Sequence, residues 1–377
     1  MRDIGMGRQG FEDAFLQEIE ELLSVISAES QDGSKAVAVH QALGSSAGNG
    51  INLVMTGNRL EPGHPTRRLI DASFLPRGPK TQPSIFYPPC YLPLVAKLML
   101  RLPAIGPAMA FGTRVQQVLR YLYDQAHKQI AAQAASQVDD DDSVNDSFIG
   151  TYVRHMRSGS VSGKYFDTDH LVGNAISFFA AGAATIGDFL TWFTLIMALH
   201  PDIQSRMRAE VDEVLGDRAP SYRDREAMPY TCAFLLELLR FTTSVPSGLW
   251  HATGEDVELE GYFLPKGTQL IFSLYAVHFD PDIFPQPENF DPTGFLDQEG
   301  KFVREERVIA FGIGKRSCAG QPIAEMEMFL YACSFLQRFI ISTPAGSRLT
   351  TKGVTDFIGR IPADSPVSLT FTPRSRT

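Results

Sequence analysis

The stretch "LVGNAISFFAAGAATIGDFLTWFTLIMALHP" (171–201) limits how this chain can fold more than any other. It is apolar on nearly every side, so a helix built from it has little polar face to give to water. Asn174 and Asp188 interrupt it, and no run of eighteen charge-free apolar residues occurs anywhere in the chain. The segment therefore reads as one very long core helix, buried in protein rather than lipid.

Such a helix needs other helices around it. "FEDAFLQEIEELLSVISAE" (11–29) is amphipathic, and "RVQQVLRYLYDQAHKQIAAQAA" (114–135) is a second long helix. "HPDIQSRMRAEVDEVLG" (200–216) is helical up to Gly216, and "PYTCAFLLELLRFTTS" (229–244) is an apolar helix. Proline marks 74–93 as loop, and the run Asp139 to Asp142 reads as a solvated loop rather than a calcium site. Beyond Pro246 the pattern turns to strands: "VELEGYFLP", a turn at Pro265-Lys266-Gly267, then "TQLIFSLYAVH". A proline-rich meander (281–297), a helix at 324–339 and short tail strands complete a fold that is mainly α with a small β portion.

The chain carries 34 basic against 43 acidic residues, a net charge of −9. Neutralising phosphates needs clustered cations, so no nucleic-acid partner is expected. The four cysteines, Cys90, Cys232, Cys318 and Cys333, form no CxxC pair, which argues against structural zinc. On one helix, Cys318 and Cys333 would lie roughly 22 Å apart and could not share a ligand.

Two motifs carry chemistry. Glu237 and Arg240 stand at i and i+3, so they share a helix face. Their neighbours Phe234, Leu235, Leu236, Leu238, Leu239 and Phe241 imply a buried pair, and a buried charge must be paired and hydrogen-bonded. The second motif is "FGIGKRSCAG" (311–320). Gly314 permits a tight backbone conformation closed to side chains. Gly320 and the following helix leave N–H groups near the sulfur of Cys318, which favour thiolate. Arg316 offers a fork for a carboxylate, and Phe311 a flat apolar cover. A thiolate beside a carboxylate-binding cation suits haem, with sulfur on iron and arginine on a propionate.

Phe311-x-x-Gly314-x-Arg316-x-Cys318-x-Gly320 resembles the haem-ligand signature of cytochrome P-450 enzymes, and Glu237-x-x-Arg240 resembles their ExxR clamp. Five matched positions arise by chance roughly once in ten thousand chains of this length. "AGAAT" (181–185) resembles the oxygen-activating groove of their long central helix, and several further stretches are similar to the microsomal family-2 branch. The resemblance implies a cytochrome P-450 fold, with haem between the central helix and the cysteine-loop helix. It further implies a single domain over 1–377, with 1–245 mainly helical and 246–377 holding the strands, meander, ligand loop and following helix.

Residue by residue, the resemblance makes Cys318 the axial thiolate, whose electron donation favours O–O cleavage. Arg316 and His251 would hold propionates of haem b. Ala181 and Gly182 would give the central helix room to bulge over the iron, and Thr185 would organise proton delivery. A threonine that merely bonds back to its own helix is the plainer alternative. Val245, Leu249 and Phe357 would line the substrate pocket.

The implied activity is insertion of one oxygen atom from O2 into a hydrophobic small molecule. Electrons would come from NADPH-cytochrome P-450 reductase, with cytochrome b5 as a further partner. The reductase would dock on Lys315, Arg316 and Arg338. The implied location is the cytoplasmic face of the endoplasmic reticulum membrane, through an anchor expected to precede this stretch in the full-length form.

Three departures stand out. Ala184 replaces the acid usual before the threonine, with Asp188 one turn later as the nearest substitute. Gly294 stands where an arginine or histidine usually completes the clamp, so a looser clamp is expected. "MRDIGMGRQGFEDAFLQEIEEL" resembles a segment that normally lies well inside these proteins, so an N-terminally truncated form is expected. Two other functions follow from these departures: a peroxide-rearranging isomerase, and a non-enzymatic remnant that retains haem poorly.

Overall fold

The computed structural model describes residues 9–74, 106–135, 147–158, 166–351 and 367–374. These are mainly helical, with seven short strands among them. The chain divides into two compact units, 1–198 with 338–349 and 362–377, and 199–337 with 350–361.

The first unit contains α1 (Gln9–Ser30), β1 (Val37–Ala38), α2 (His40–Thr56), α3 (Pro65–Phe74), α4 (Gly106–Ala135), α5 (Phe148–Ser158) and α6 (Thr168–Leu199). The amphipathic spacing of α1 buries Phe15, Ile19, Leu22, Leu23 and Ile26 on one face. Glu18 lies on the same buried face, where it needs partners. Arg67 of α3 donates to it at 2.8 Å and Asn49 of α2 at 2.6 Å, so one carboxylate joins three helices.

α6 is the long core helix expected over 171–201. Its C-terminal half is buried continuously from Ile186 to Met197. Its N-terminal half shows an exposed stripe of Asn174, Ser177, Ala181 and Thr185, which share one face at spacings of three and four. α6 meets α2 at close range. A Cβ on Gly187 would stand 3.0 Å from Cα of Gly44, and one on Gly182 would stand 2.8 Å from Cδ1 of Ile51. The unit is closed by an antiparallel sheet of order β1-β7-β6, built from β6 (Phe339–Ser342) and β7 (Ser368–Pro373). Phe339, Ile341, Leu369 and Phe371 are its inward, buried residues.

The second unit begins with α7 (Pro201–Leu215), which stops at Gly216 (φ 54°). Glu210 of α7 accepts the backbone N–H groups of Tyr230 and Thr231, both at 2.8 Å. That satisfies first-turn donors of α8 (Pro229–Thr242), which have no partner within their own helix. Two small antiparallel pairs follow: β2 (His251–Ala252) with β5 (Gln269–Leu270), and the hairpin β3 (Val257–Leu259) with β4 (Tyr262–Leu264). The turn at 265–267 forms as expected, with the Thr268 N–H donating to Pro265 O at 3.1 Å.

The strand expected over 268–278 ends at Leu270. Residues 274–278 form a short helix, α9 (Leu274–His278). The reason is local: Ser273 Oγ accepts the Ala276 N–H at 3.1 Å, an N-cap that outweighs the β preference of the flanking side chains. A 3-10 turn at Pro292–Phe295 and α10 (Gln321–Arg338) complete the unit. The loops expected at 74–93 and 139–142 lie, apart from Phe74, outside the described residues.

Candidate functional site

α8 carries the clamp. Glu237 and Arg240 are each only 2% exposed. The guanidinium donates to the carboxylate twice, Nε to Oε2 at 2.7 Å and Nη2 to Oε1 at 2.9 Å. It also donates to His278 O at 2.8 Å and to Pro287 O at 3.0 Å, while the Asp291 N–H donates to Glu237 Oε1 at 2.9 Å. Fully hydrogen-bonded charges are the condition for burying such a pair.

The looser clamp expected from Gly294 does not appear. Both charges are bonded to backbone groups, Arg240 to the carbonyls of His278 and Pro287 and Glu237 to the Asp291 amide. A Cβ on Gly294 would meet nothing within 4 Å, so that corner is open.

The cysteine loop hangs from this frame. Gly314 has φ 69°, as its role required, and Gly312, which sequence reasoning passed over, has φ 70°. Two left-handed glycines separated by Ile313 turn the chain sharply enough for the Cys318 N–H to donate to Phe311 O at 2.8 Å. Phe311 is half-buried and Cys318 exposed. A Cβ on Gly320 would touch Sγ of Cys318 at 3.8 Å, so glycine keeps that approach to the sulfur clear.

Amide donors were expected around Sγ, yet none donates to it among the described residues. The Gln321 N–H turns to Cys318 O and the Ala324 N–H to Gly320 O.

The other described cysteines are less exposed than Cys318. Burial pushes the Cys333 thiol well above its ordinary range, and the Cys232 thiol up to about 12. Cys318 is the exposed thiol among them. Beside it, Arg316 and Lys315 are exposed and make no hydrogen bond or ion pair among the described residues. Arg338, expected to extend this basic patch, instead pairs with Glu20 of α1 at 3.3 Å, and so is not a free cation.

His251 opens β2 and is exposed, its Nδ1 lying 2.8 Å from Leu249 O and its ring 5.3 Å from that of Phe272. Val245 is half-buried and Leu249 is 72% exposed, both in the segment that follows α8. Phe357 and Cys90 lie outside the described residues. An accessible thiol, an unpaired guanidinium and exposed apolar side chains are the donor set that haem requires, so the residues present fit that group.

In the first unit, Thr185 Oγ1 donates to Ala181 O at 2.8 Å, the back-bonded arrangement that stood as the alternative to proton delivery. Gly182 is occupied with Ile51, and α6 runs as uninterrupted α-helix through 181–185. Asp188 is buried rather than on the exposed stripe with Thr185.

A family model for cytochrome P450 matches residues 2–362, and the chain belongs to the cytochrome P450 family. It is similar to mouse cytochrome P450 2U1, 39% identical over 230 residues, covering 60% of this chain and 43% of that one. It is also similar to bovine cytochrome P450 2D14, 41% identical over 211 residues, covering 55% of this chain and 42% of the relative. The chain thus spans less than half the length of these relatives within the match.

Proposed function

We propose that this chain is the catalytic part of a haem-thiolate monooxygenase that inserts one oxygen atom from O2 into a hydrophobic small molecule. The observation that carries the reading is the exposed Cys318 thiol, in a loop turned by two left-handed glycines, beside the unpaired Arg316. Cys318 is the thiolate ligand of haem b, and Arg316 and His251 bind its propionates. The haem supplies oxygen activation when bound. Phe311 covers the sulfur, while Val245, Leu249 and Phe357 face the substrate. Ala181 and Gly182 shape the central helix, and Thr185 delivers protons once its hydroxyl turns from Ala181 O. Electrons come from NADPH-cytochrome P-450 reductase and cytochrome b5, at the cytoplasmic face of the endoplasmic reticulum membrane.

The test is the spectrum of the reduced, CO-bound protein. The chain should give the red-shifted Soret band of thiolate-ligated haem, Cys318→Ser should lose it, and Cys333→Ser should keep it. A red-shifted band that persists in Cys318→Ser would overturn the assignment. The back-bonded Thr185 beside Ala184 favours a second activity, rearrangement of organic peroxides without outside electrons. Turnover of a lipid hydroperoxide in the absence of NADPH and reductase distinguishes it.

A further inference from the structure

His278 is buried completely, and both of its ring nitrogens are committed. The Ile309 N–H donates to Nε2 at 2.9 Å, and a backbone N–H can only donate. Nε2 is therefore unprotonated and the ring proton sits on Nδ1, which meets Thr243 Oγ1 at 2.8 Å. The Thr243 hydroxyl then passes its own hydrogen to Arg240 O at 2.7 Å. The carbonyl of His278 in turn accepts from Arg240 Nη1 at 2.8 Å. His278 thus has its carbonyl on Arg240, Nδ1 on Thr243 and Nε2 on Ile309.

Ile309 is where this matters. Its carbonyl accepts the Gly312 N–H at 2.8 Å, closing the first turn of the cysteine loop, and Phe311 O accepts the Cys318 N–H. A continuous path of hydrogen bonds and two short backbone links therefore joins Arg240 to the backbone of Cys318. Thr243 marks the tension in this path, since it is a β-branched residue at φ 38°, where side chains are strained. Its hydroxyl, bonded on both sides, is what a glycine there could not provide.

We propose that His278 is a positioning residue for the Cys318 loop, transmitting the rigidity of the Glu237–Arg240 clamp through its Nδ1–H tautomer to Ile309. Only the spectroscopic arm of its test rests on Cys318 being the haem ligand.

Packing alone would make a different demand. The ring stands 6.4 Å from that of Phe284, and His278→Phe keeps such a contact while deleting the acceptor. His278→Gln loses the ring but can offer Oε1 to the Ile309 N–H. The experiment measures amide exchange at Ile309 and Cys318 in both variants, and the red-shifted Soret band of the reduced, CO-bound, haem-loaded protein.

The expected result is exchange about tenfold faster at Ile309 in the phenylalanine variant, with part of the band lost. The glutamine variant should recover both. Protection and band retained by Phe but lost by Gln would overturn the proposal, and so would retention of both signals in both variants. If neither variant folds, the ring-nitrogen NMR shifts of the unmodified chain decide, and a proton on Nε2 refutes the proposal. A wild-type chain with the expected exchange pattern but no red-shifted band would refute Cys318 as ligand and leave His278 standing.

Discussion

Glu327 lies on α10, 4% exposed, and its carboxyl makes no hydrogen bond or ion pair among the described residues. Burial alone pushes its pKa from 4.5 to about 8. At pH 7 the folded chain therefore holds Glu327 protonated while the unfolded chain ionises it. The unfolded state binds fewer protons between pH 4.5 and 8, so this residue makes stability fall as pH rises through that window. At about 1.36 kcal/mol per pH unit, the cost reaches about 3 kcal/mol by pH 7.

Glu327→Gln keeps the shape and removes the titration. The stability of the variant relative to wild type should be near constant below pH 4.5, then rise by about 3 kcal/mol at pH 7. Urea unfolding at matched haem content measures it, with the midpoint moving while the m-value stays fixed. Against a domain stability of about 5–15 kcal/mol, a change of this size is easily seen. A difference between variant and wild type that is flat across the window would refute the reasoning, because it would mean Glu327 is charged or neutral alike in both states.

Arg240→Leu leaves Glu237 buried without its guanidinium, a loss of about 3–5 kcal/mol, so haem content per chain should collapse rather than turnover alone. A soluble, haem-loaded variant with only a lowered rate would count against the clamp. Gly314→Ala places a side chain at φ 69° and should cost about 1–2 kcal/mol in urea unfolding, whereas Gly294→Ala, with open space around it, should cost well under that. Lys315→Glu should weaken reductase-supported turnover most at low salt, since Lys315 and Arg316 are the free cations of the loop. Turnover unchanged by both the substitution and ionic strength would place the docking face elsewhere.

Much of this protein is determined by short-range pattern, which sequence carries openly. The helix at 11–29 was legible from its amphipathic pattern, and those at 171–201 and 229–244 from long runs apolar on nearly every side. Glu237 and Arg240 were legible as a pair because i and i+3 share a face whatever else the fold does. The spacing from Phe311 to Gly320 was legible through its resemblance to the haem-ligand signature of cytochrome P-450 enzymes.

Tertiary structure alone decided which distant groups complete these local pieces. The carbonyls that close the clamp come from His278 and Pro287, 38 and 47 residues away from Arg240. β1 finds its partner strand at the far end of the chain, Val37 opposite Leu369. Gly182 is small for the sake of Ile51, and Arg338 is neutralised by Glu20. Nothing in the sequence singles out His278, whose ring nitrogens are committed only by Ile309 and Thr243, 31 and 35 residues away. Periodicity reports which face of an element is buried, but the partner on that face is chosen only when the whole chain closes and every buried donor must find an acceptor.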